Sequence, residues 1–211
     1  MKKITLLLIL AVFLHLTSVH TATAQQDAGQ SAVTAGVGVS IAGLLINAYT
    51  TAITTAVSST NAISFSTSSI PVIFGSYDYG VNRRFSIGLA ASYQSWSVGI
   101  PSYVDQNTMI PYAPSSISLS RINYALRPLI HFGRSTDLDL YTGLRLGYTT
   151  WTLTNTSLDP NLKSVSFGST SNFAPAVLFG LRYYFSKVIG AGLEVSIGAP
   201  YAVAVGLNAR F

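Results

Sequence analysis

The sequence predicts an all-β fold, an eight-stranded antiparallel β-barrel that crosses a membrane, and three observations carry that prediction. Only 9% of the 211 residues are charged, against roughly 25% in soluble domains. Apolar and polar residues alternate with period two in segment after segment, as in a strand with a different environment on each face. The connections between those segments are short and long by turns, the layout of a barrel with tight turns at one rim and extended loops at the other. The 12 Tyr and 10 Phe speak against disorder. The lack of Cys excludes disulfide scaffolds, thiolate metal sites and cysteine nucleophiles together.

The first segment reads as an export signal. Met1-Lys2-Lys3 is a basic start, Ile4 to Leu16 an apolar run, and Ala22-Thr23-Ala24 a small-x-small cleavage pattern. The apolar run falls short of the ~20 residues a spanning helix needs. No Cys follows the cleavage point, so no lipid anchor is expected there. The expected organisation is a signal peptide over 1–24, a short periplasmic segment over 25–32 and a barrel over 33–211. Cleavage removes Lys2 and Lys3 and lowers the net charge from +5 to +3. The remaining cations form no cluster that would bind nucleic acid.

Eight segments alternate. The clearest is Leu138 to Tyr148, where Leu138, Leu140, Leu144 and Leu146 oppose Asp139, Tyr141, Gly143, Arg145 and Gly147. At the chain end Tyr201, Val203, Val205, Leu207, Ala209 and Phe211 share one face, against Asn208 and Arg210 on the other. Ile189–Ile197 and Phe173–Phe185 alternate in the same way. Val33–Ile46, Ser69–Val81, Phe85–Val98 and Ile117–Phe132 complete the set. Each is long enough for a membrane strand of about 9–11 residues. Short turns fall at 80–84, 133–137 and 186–187, and Gly198-Ala199-Pro200 closes the last hairpin. Long connections run over 47–68, 99–116 and 153–170; an extra hairpin in 47–68 would make ten strands, the alternative to eight.

The apolar face is assigned outward. Its opposite face is Gly, Ala and Ser with isolated charges, which is no surface for water, whereas outward Leu, Val and Phe suit hydrocarbon. Aromatics gather on the apolar parity beside the short turns, Tyr77, Tyr79, Phe85, Phe132, Tyr183, Phe185 and Phe211, as an interfacial girdle does. A helical span over Ala32 to Val57, a stretch without charge, is the rival. Its Gly, Thr and β-branched content and the want of a second span weigh against it. Lipid tolerates no unpaired sheet edge, so the strands must close.

At this point the sequence resembles the small outer-membrane barrels of the OmpA/OmpX-like class. The segments Ser76-Tyr77-Asp78-Tyr79-Gly80-Val81, Ala125-Leu126-Arg127-Pro128 and Asp139-Leu140-Tyr141-Thr142-Gly143-Leu144 look most like the Bacteroidetes outer membrane protein beta-barrel domain family. The resemblance implies export through the Sec pathway, a Gram-negative outer membrane as location, its lipid as surroundings, and a terminal aromatic, here Phe211, read by the barrel-assembly machinery. No peptidoglycan-binding domain is expected after Phe211, a departure from the longer members of that class.

Parity puts Asp78, Arg127, Asp139, Arg145, Arg182, Glu194 and Arg210 in the lumen. Glu194, between the strands of Arg182 and Arg210, is expected to centre an ion-pair cluster below mid-membrane. An eight-stranded barrel is only wide enough to be filled by side chains or to hold one small ligand, so such a cluster would plug it. The expected role is then structural or surface interaction through the long loops. A small pore or transporter for small or hydrophobic molecules is the alternative, with Arg favouring anions. No enzyme, cofactor or metal is expected. His131 lies beside a short turn, where its expected partner is Asp139 or water, away from any outer-leaflet substrate. Pro71, Pro128 and Pro175 each delete a ladder donor, which implies a bulge or a rim position, or a weak seam open to sideways passage.

Overall fold

The computed structural model describes residues 28–61, 65–104, 109–132, 135, 137–157 and 168–211. The expected signal peptide lies outside them. Alternation gives β1 (Ser31–Val39), β2 (Ser66–Asn82), β3 (Phe85–Ile100), β6 (Ser115–His131), β7 (Leu138–Asn155), β8 (Ser169–Tyr184), β9 (Ile189–Gly198) and β10 (Val203–Arg210). These close in the order β1-β10-β9-β8-β7-β6-β3-β2, every pair antiparallel. A two-stranded hairpin, β4 (Tyr103–Val104) with β5 (Pro111–Tyr112), stands in the loop over 99–116, outside the barrel. At the short-turn rim the start of β1 is tied to the residue after β10, since Ser31 and Phe211 exchange both backbone hydrogen bonds at 2.8 and 3.0 Å.

Inside and outside follow the residue types. Val33, Leu89, Leu126, Leu144, Val177, Leu193 and Leu207 are exposed on the outer face. Asp78, Ser86, Arg127, Arg145 and Arg182 are buried within. A continuous apolar exterior with a charged interior inverts a water-soluble barrel and matches hydrocarbon. Of the expected girdle, Tyr77, Tyr79, Phe132, Tyr183, Phe185 and Phe211 face outward and exposed, and Phe85 is half-buried.

One expectation is corrected at the start of the barrel. The strand expected over Val33–Ile46 begins at Ser31 and stops at Val39, and the loop expected over 47–68, with its optional extra hairpin, is mostly helix. This helix, α1 (Ile41–Asn61), has 21 residues. Ser40 starts it, its Oγ accepting the Gly43 N–H at 2.8 Å, which is the geometry of an N-cap. Nothing in 41–61 breaks it, because no Pro occurs there. Thr50 and Thr54 return their hydroxyls to the carbonyls of Ile46 and Thr50 at 2.9 Å each. Gly43 is buried, Ile46, Thr50 and Thr54 are half-buried, and Ile41, Leu44, Leu45 and Tyr49 are exposed. Among the described residues no helix is long and apolar enough to cross a membrane.

The early end of β1 leaves the barrel wall uneven. The β1–β2 ladder ends at Gly38↔Val72, so residues 66–71 of β2 have no β1 partner. The β8–β9 ladder ends at Ala176↔Gly198, so residues 169–175 of β8 lack a β9 partner. The wall of β9, β10 and β1 is therefore low, and the taller β2 and β8 border it with free edges. Pro71 lies at the β2–β3 register shift between Ile70 and Ile73, on one of these edges. Pro175 lies on the other, one residue past the last β8–β9 pair, Ala176↔Gly198. A strand edge is where a missing donor costs least. Pro128 differs: it pairs with Ile87 of β3, and the β6–β7 ladder is interrupted between Leu126↔Leu146 and Leu129↔Gly143.

These edges give a first prediction. In detergent, amide hydrogen exchange at Thr67–Ile70 and Ser169–Ala174 is expected to outrun that at Val177–Arg182, because an unpaired edge opens without breaking a ladder. Equal protection across β8 would contradict the low wall.

Candidate functional site

The lumen holds the polar chemistry of the chain. Lumen-facing glycines make room for it. A Cβ on Gly88 would come within 2.0 Å of Asp78 Oδ1, and one on Gly180 within 2.2 Å of the Tyr141 ring. At both positions a side chain from the neighbouring strand occupies the space over the glycine, so these two residues leave room for the groups of the network.

Three layers follow from the short-turn rim upward. At the floor, His131 Nδ1 lies 2.8 Å from Asp139 Oδ1 and its Nε2 lies 2.8 Å from Ser86 Oγ. The His131 ring packs on Tyr141 with centroids 5.7 Å apart. Above it, Arg182 pairs through Nη2 with Asp78 Oδ2 and lies 3.7 Å through Nη1 from Asp139 Oδ2, its guanidinium 4.5 Å from the Tyr141 ring centroid. Arg127 Nε is 3.3 Å from Asp78 Oδ1 and joins this layer to the next. There Arg127 grips Glu194 at 2.5 and 3.3 Å, and the hydroxyls of Tyr141 (2.6 Å) and Tyr201 donate to the same carboxylate.

Two arginines sit higher without a carboxylate partner among the described residues. Arg145 donates to Asn123 Oδ1 (3.1 and 3.3 Å) and to the Tyr201 hydroxyl (3.3 Å). Arg121 donates to Gln94 Oε1 (2.6 Å) and to the Pro200 carbonyl.

Asp78, Arg127, Asp139, Arg182 and Glu194, five of the seven residues expected in the lumen, thus meet in one network. Arg145 is in the lumen but rests on neutral acceptors. Arg210 is corrected: it lies at the short-turn rim, its guanidinium 4.0 Å from the Tyr184 ring centroid and its Nε donating to the Lys187 carbonyl at 2.9 Å. Glu194 pairs with Ala204 in register, six residues along β10 from Arg210, so neighbouring strands do not bring the two charges level. Arg182 reaches Asp78 and Asp139, and Arg127, three strands from β9 around the barrel, supplies the cation for Glu194.

Tyr201 is a second correction. Parity assigned it to the outer face, but it precedes β10 in the turn after Pro200 and folds into the lumen, fully buried. Sequence reasoning also passed over Arg121, Ser86 and Gln94. Arg121 shares the parity of Asn123 and Arg127, and that signal was enough to find it.

Ser86, His131 and Asp139 have the donor order of a nucleophilic triad. All three are enclosed, with Ser86 at 0% exposure, so no surface lets an acyl carbon approach the hydroxyl. Among the described residues no group of His, Cys, Asp or Glu could hold a metal ion. A depression of about 690 Å³ lies on the outer face between Leu89, Tyr124, Tyr148 and Phe173, apart from the lumen network.

A closed eight-stranded meander with an apolar exterior and long loops at one rim is the architecture of the small outer-membrane β-barrels. Among solved structures the chain is similar to the outer membrane protein OprG from Pseudomonas aeruginosa, at 13% identity and TM-score 0.52, over 89% of this chain and 99% of that one. It also matches the N-terminal β-barrel domain of Pseudomonas aeruginosa OprF (17% identity, TM-score 0.45, 88% and 100% covered). A third match is Ail, the attachment invasion locus protein of Yersinia pestis (13%, 0.42, 88% and 100%). No family model and no curated protein sequence matches the chain. At 13% identity the likeness to OprG shows the fold alone.

Breaking the network from one side leaves a buried charge unpaired, which costs about 3–5 kcal/mol. Glu194→Ala is therefore expected to lower stability by about that amount, read by urea unfolding of the detergent-folded barrel. Gly180→Ala is expected to destabilise through displacement of Tyr141. If Glu194→Ala unfolds at the wild-type urea concentration, the network does not hold the barrel.

Proposed function

We propose that this chain is an integral protein of a bacterial outer membrane whose lumen is plugged and whose role is structural or one of surface interaction through its long-loop side. The observation that carries the reading is the Arg127–Asp78–Arg182–Glu194 network, in which each residue is at most 3% exposed. Side chains fill an interior that has room for little else, and the floor of Ser86, His131 and Asp139 completes the closure. On this reading the floor is a hydrogen-bonded seal and the chain is no enzyme. What the barrel presents outward is α1 with its exposed Ile41, Leu44, Leu45 and Tyr49, and the β4–β5 hairpin, where Tyr103 and Tyr112 pack 5.4 Å apart. Part of the third loop, 158–167, lies outside the described residues. An extracellular partner on these segments, export through the Sec pathway, recognition of Phe211 by the assembly machinery and membership of the Bacteroidetes family belong to the same proposal. Composition and segment resemblance support them.

One observation favours a second reading, sideways passage of a small hydrophobic molecule. The low β9–β10–β1 wall offers an exit beside the Pro71 and Pro175 edges, above the plug.

Planar-bilayer recording of the refolded barrel tests the first reading. Wild type is expected to stay silent, and the Arg127→Ala/Glu194→Ala double variant to open steps. Stable openings in wild type would sink the plug.

A further inference from the structure

Positive charge and unmatched donors converge at the long-loop mouth of the lumen, and no carboxylate among the described residues meets them. Arg121 is 5% exposed. Its Nη2 serves Gln94 Oε1 and the Pro200 carbonyl, while its Nε and Nη1 have no acceptor among the described residues. Its guanidinium lies 5.1 Å from the Trp151 ring centroid. Trp96, 4% exposed, stacks on Trp151 with centroids 6.0 Å apart. The indole Nε1–H of Trp96 is buried with no hydrogen-bond partner, a rare and costly state for a donor.

The third contributor is α1. Ser40 Oγ donates to Gln94 Oε1 at 2.9 Å, so one amide oxygen joins the start of the helix to Arg121. A Cβ on Gly43 would meet Gln94 Nε2 at 2.5 Å and Trp96 Cζ2 at 3.4 Å, which places the first helical turn against both residues. Ser40 caps the N–H of Gly43, and helix geometry leaves those of Ile41 and Ala42 without intrahelical acceptors. The first turn carries no acidic residue, so the positive end of the helix dipole is uncompensated there. Arg145 adds a further cation below, held by neutral acceptors.

The geometry points to an oxyanion of the phosphate or sulfate type as the ligand of this mouth, bound by Arg121, the Trp96 indole N–H and the first turn of α1. A tetrahedral oxyanion presents several acceptors at once, which a guanidinium fork, an indole N–H and backbone N–H groups from different directions require. The oxyanion arrives free or as the headgroup phosphate of a lipid reaching over the low β9–β10–β1 wall. The site lies above the plug and does not depend on whether the lumen conducts.

The chain has only two Trp, and both are in this mouth, so intrinsic fluorescence reads the site directly. Inorganic phosphate and sulfate are titrated into the barrel in uncharged detergent, with ionic strength held constant by chloride. A saturable change in emission is expected for wild type and for Arg83→Gln in the opposite rim, with affinity weakened about tenfold or more in Arg121→Gln. Phosphatidylglycerol doped into the same micelles forms the second arm. Saturation by the lipid and not by the free ions assigns the headgroup as the source, and saturation by the free ions assigns a soluble anion. Trp96→Phe deletes the indole donor, keeps Trp151 as reporter, and stands in if Arg121→Gln gives no folded band on a heat-modifiability gel. Emission that never saturates with any probe, or affinities unchanged in both variants, overturns the site.

Discussion

Charge balance inside a tube too narrow for bulk water is the constraint on which the rest of this structure depends. Ionised groups in such an interior are tolerated only when paired and hydrogen-bonded. Arg127 does most of the balancing, with Asp78 of β2 at 3.3 Å and Glu194 of β9 at 2.5 Å. Arg182 of β8 reaches Asp78 from a strand four places away around the ring in either direction, so this pair spans the diameter. Ladder bonds tie each strand to its neighbours, and the lumen pairs tie opposite walls to one another. The glycines at 88 and 180 follow from the same constraint, because a side chain there would hold Asp78 and Tyr141 off their partners.

The two ends of the barrel are built differently. At the short-turn rim the ladders run to the end, and Ser86, His131 and Asp139 form a buried hydrogen-bonded row. At the other rim β1, β9 and β10 stop early while five strands continue, and among the described residues Arg121 has no carboxylate partner there. Among the described residues Arg121 there, and Arg145 below it, donate to neutral oxygens. Helix α1 starts at that level and adds the positive end of its dipole to the same place. The carboxylates of the network thus lie toward the short-turn end of the lumen, and the arginines held by neutral acceptors lie toward the other.

Much of the barrel was legible along the chain because each strand separates hydrocarbon from lumen and writes that separation with period two. Leu138–Tyr148 shows it most plainly, and the same parity placed Asp78, Arg127, Asp139, Arg145, Arg182 and Glu194 inside. The alternation failed where its premise failed. Residues 41–46 lie in no strand: a Ser cap and helical packing against the mouth override a stretch whose Gly, Thr and β-branched residues read as strand. Tyr201 lies in a turn, where parity has no meaning. Arg210 has the right parity and the wrong height.

Composition and period alone determined that this chain is a closed sheet with an apolar exterior, because those properties depend only on which residue follows which. Partnership was decided by the tertiary structure. Arg127 and Glu194 are 67 residues apart, and Arg182 and Asp78 are 104 apart; whether they meet depends on shear, strand length and the reach of each side chain across the lumen. Parity says which way a group points. Register says what it finds there, and register is a property of the closed ring that no single strand contains.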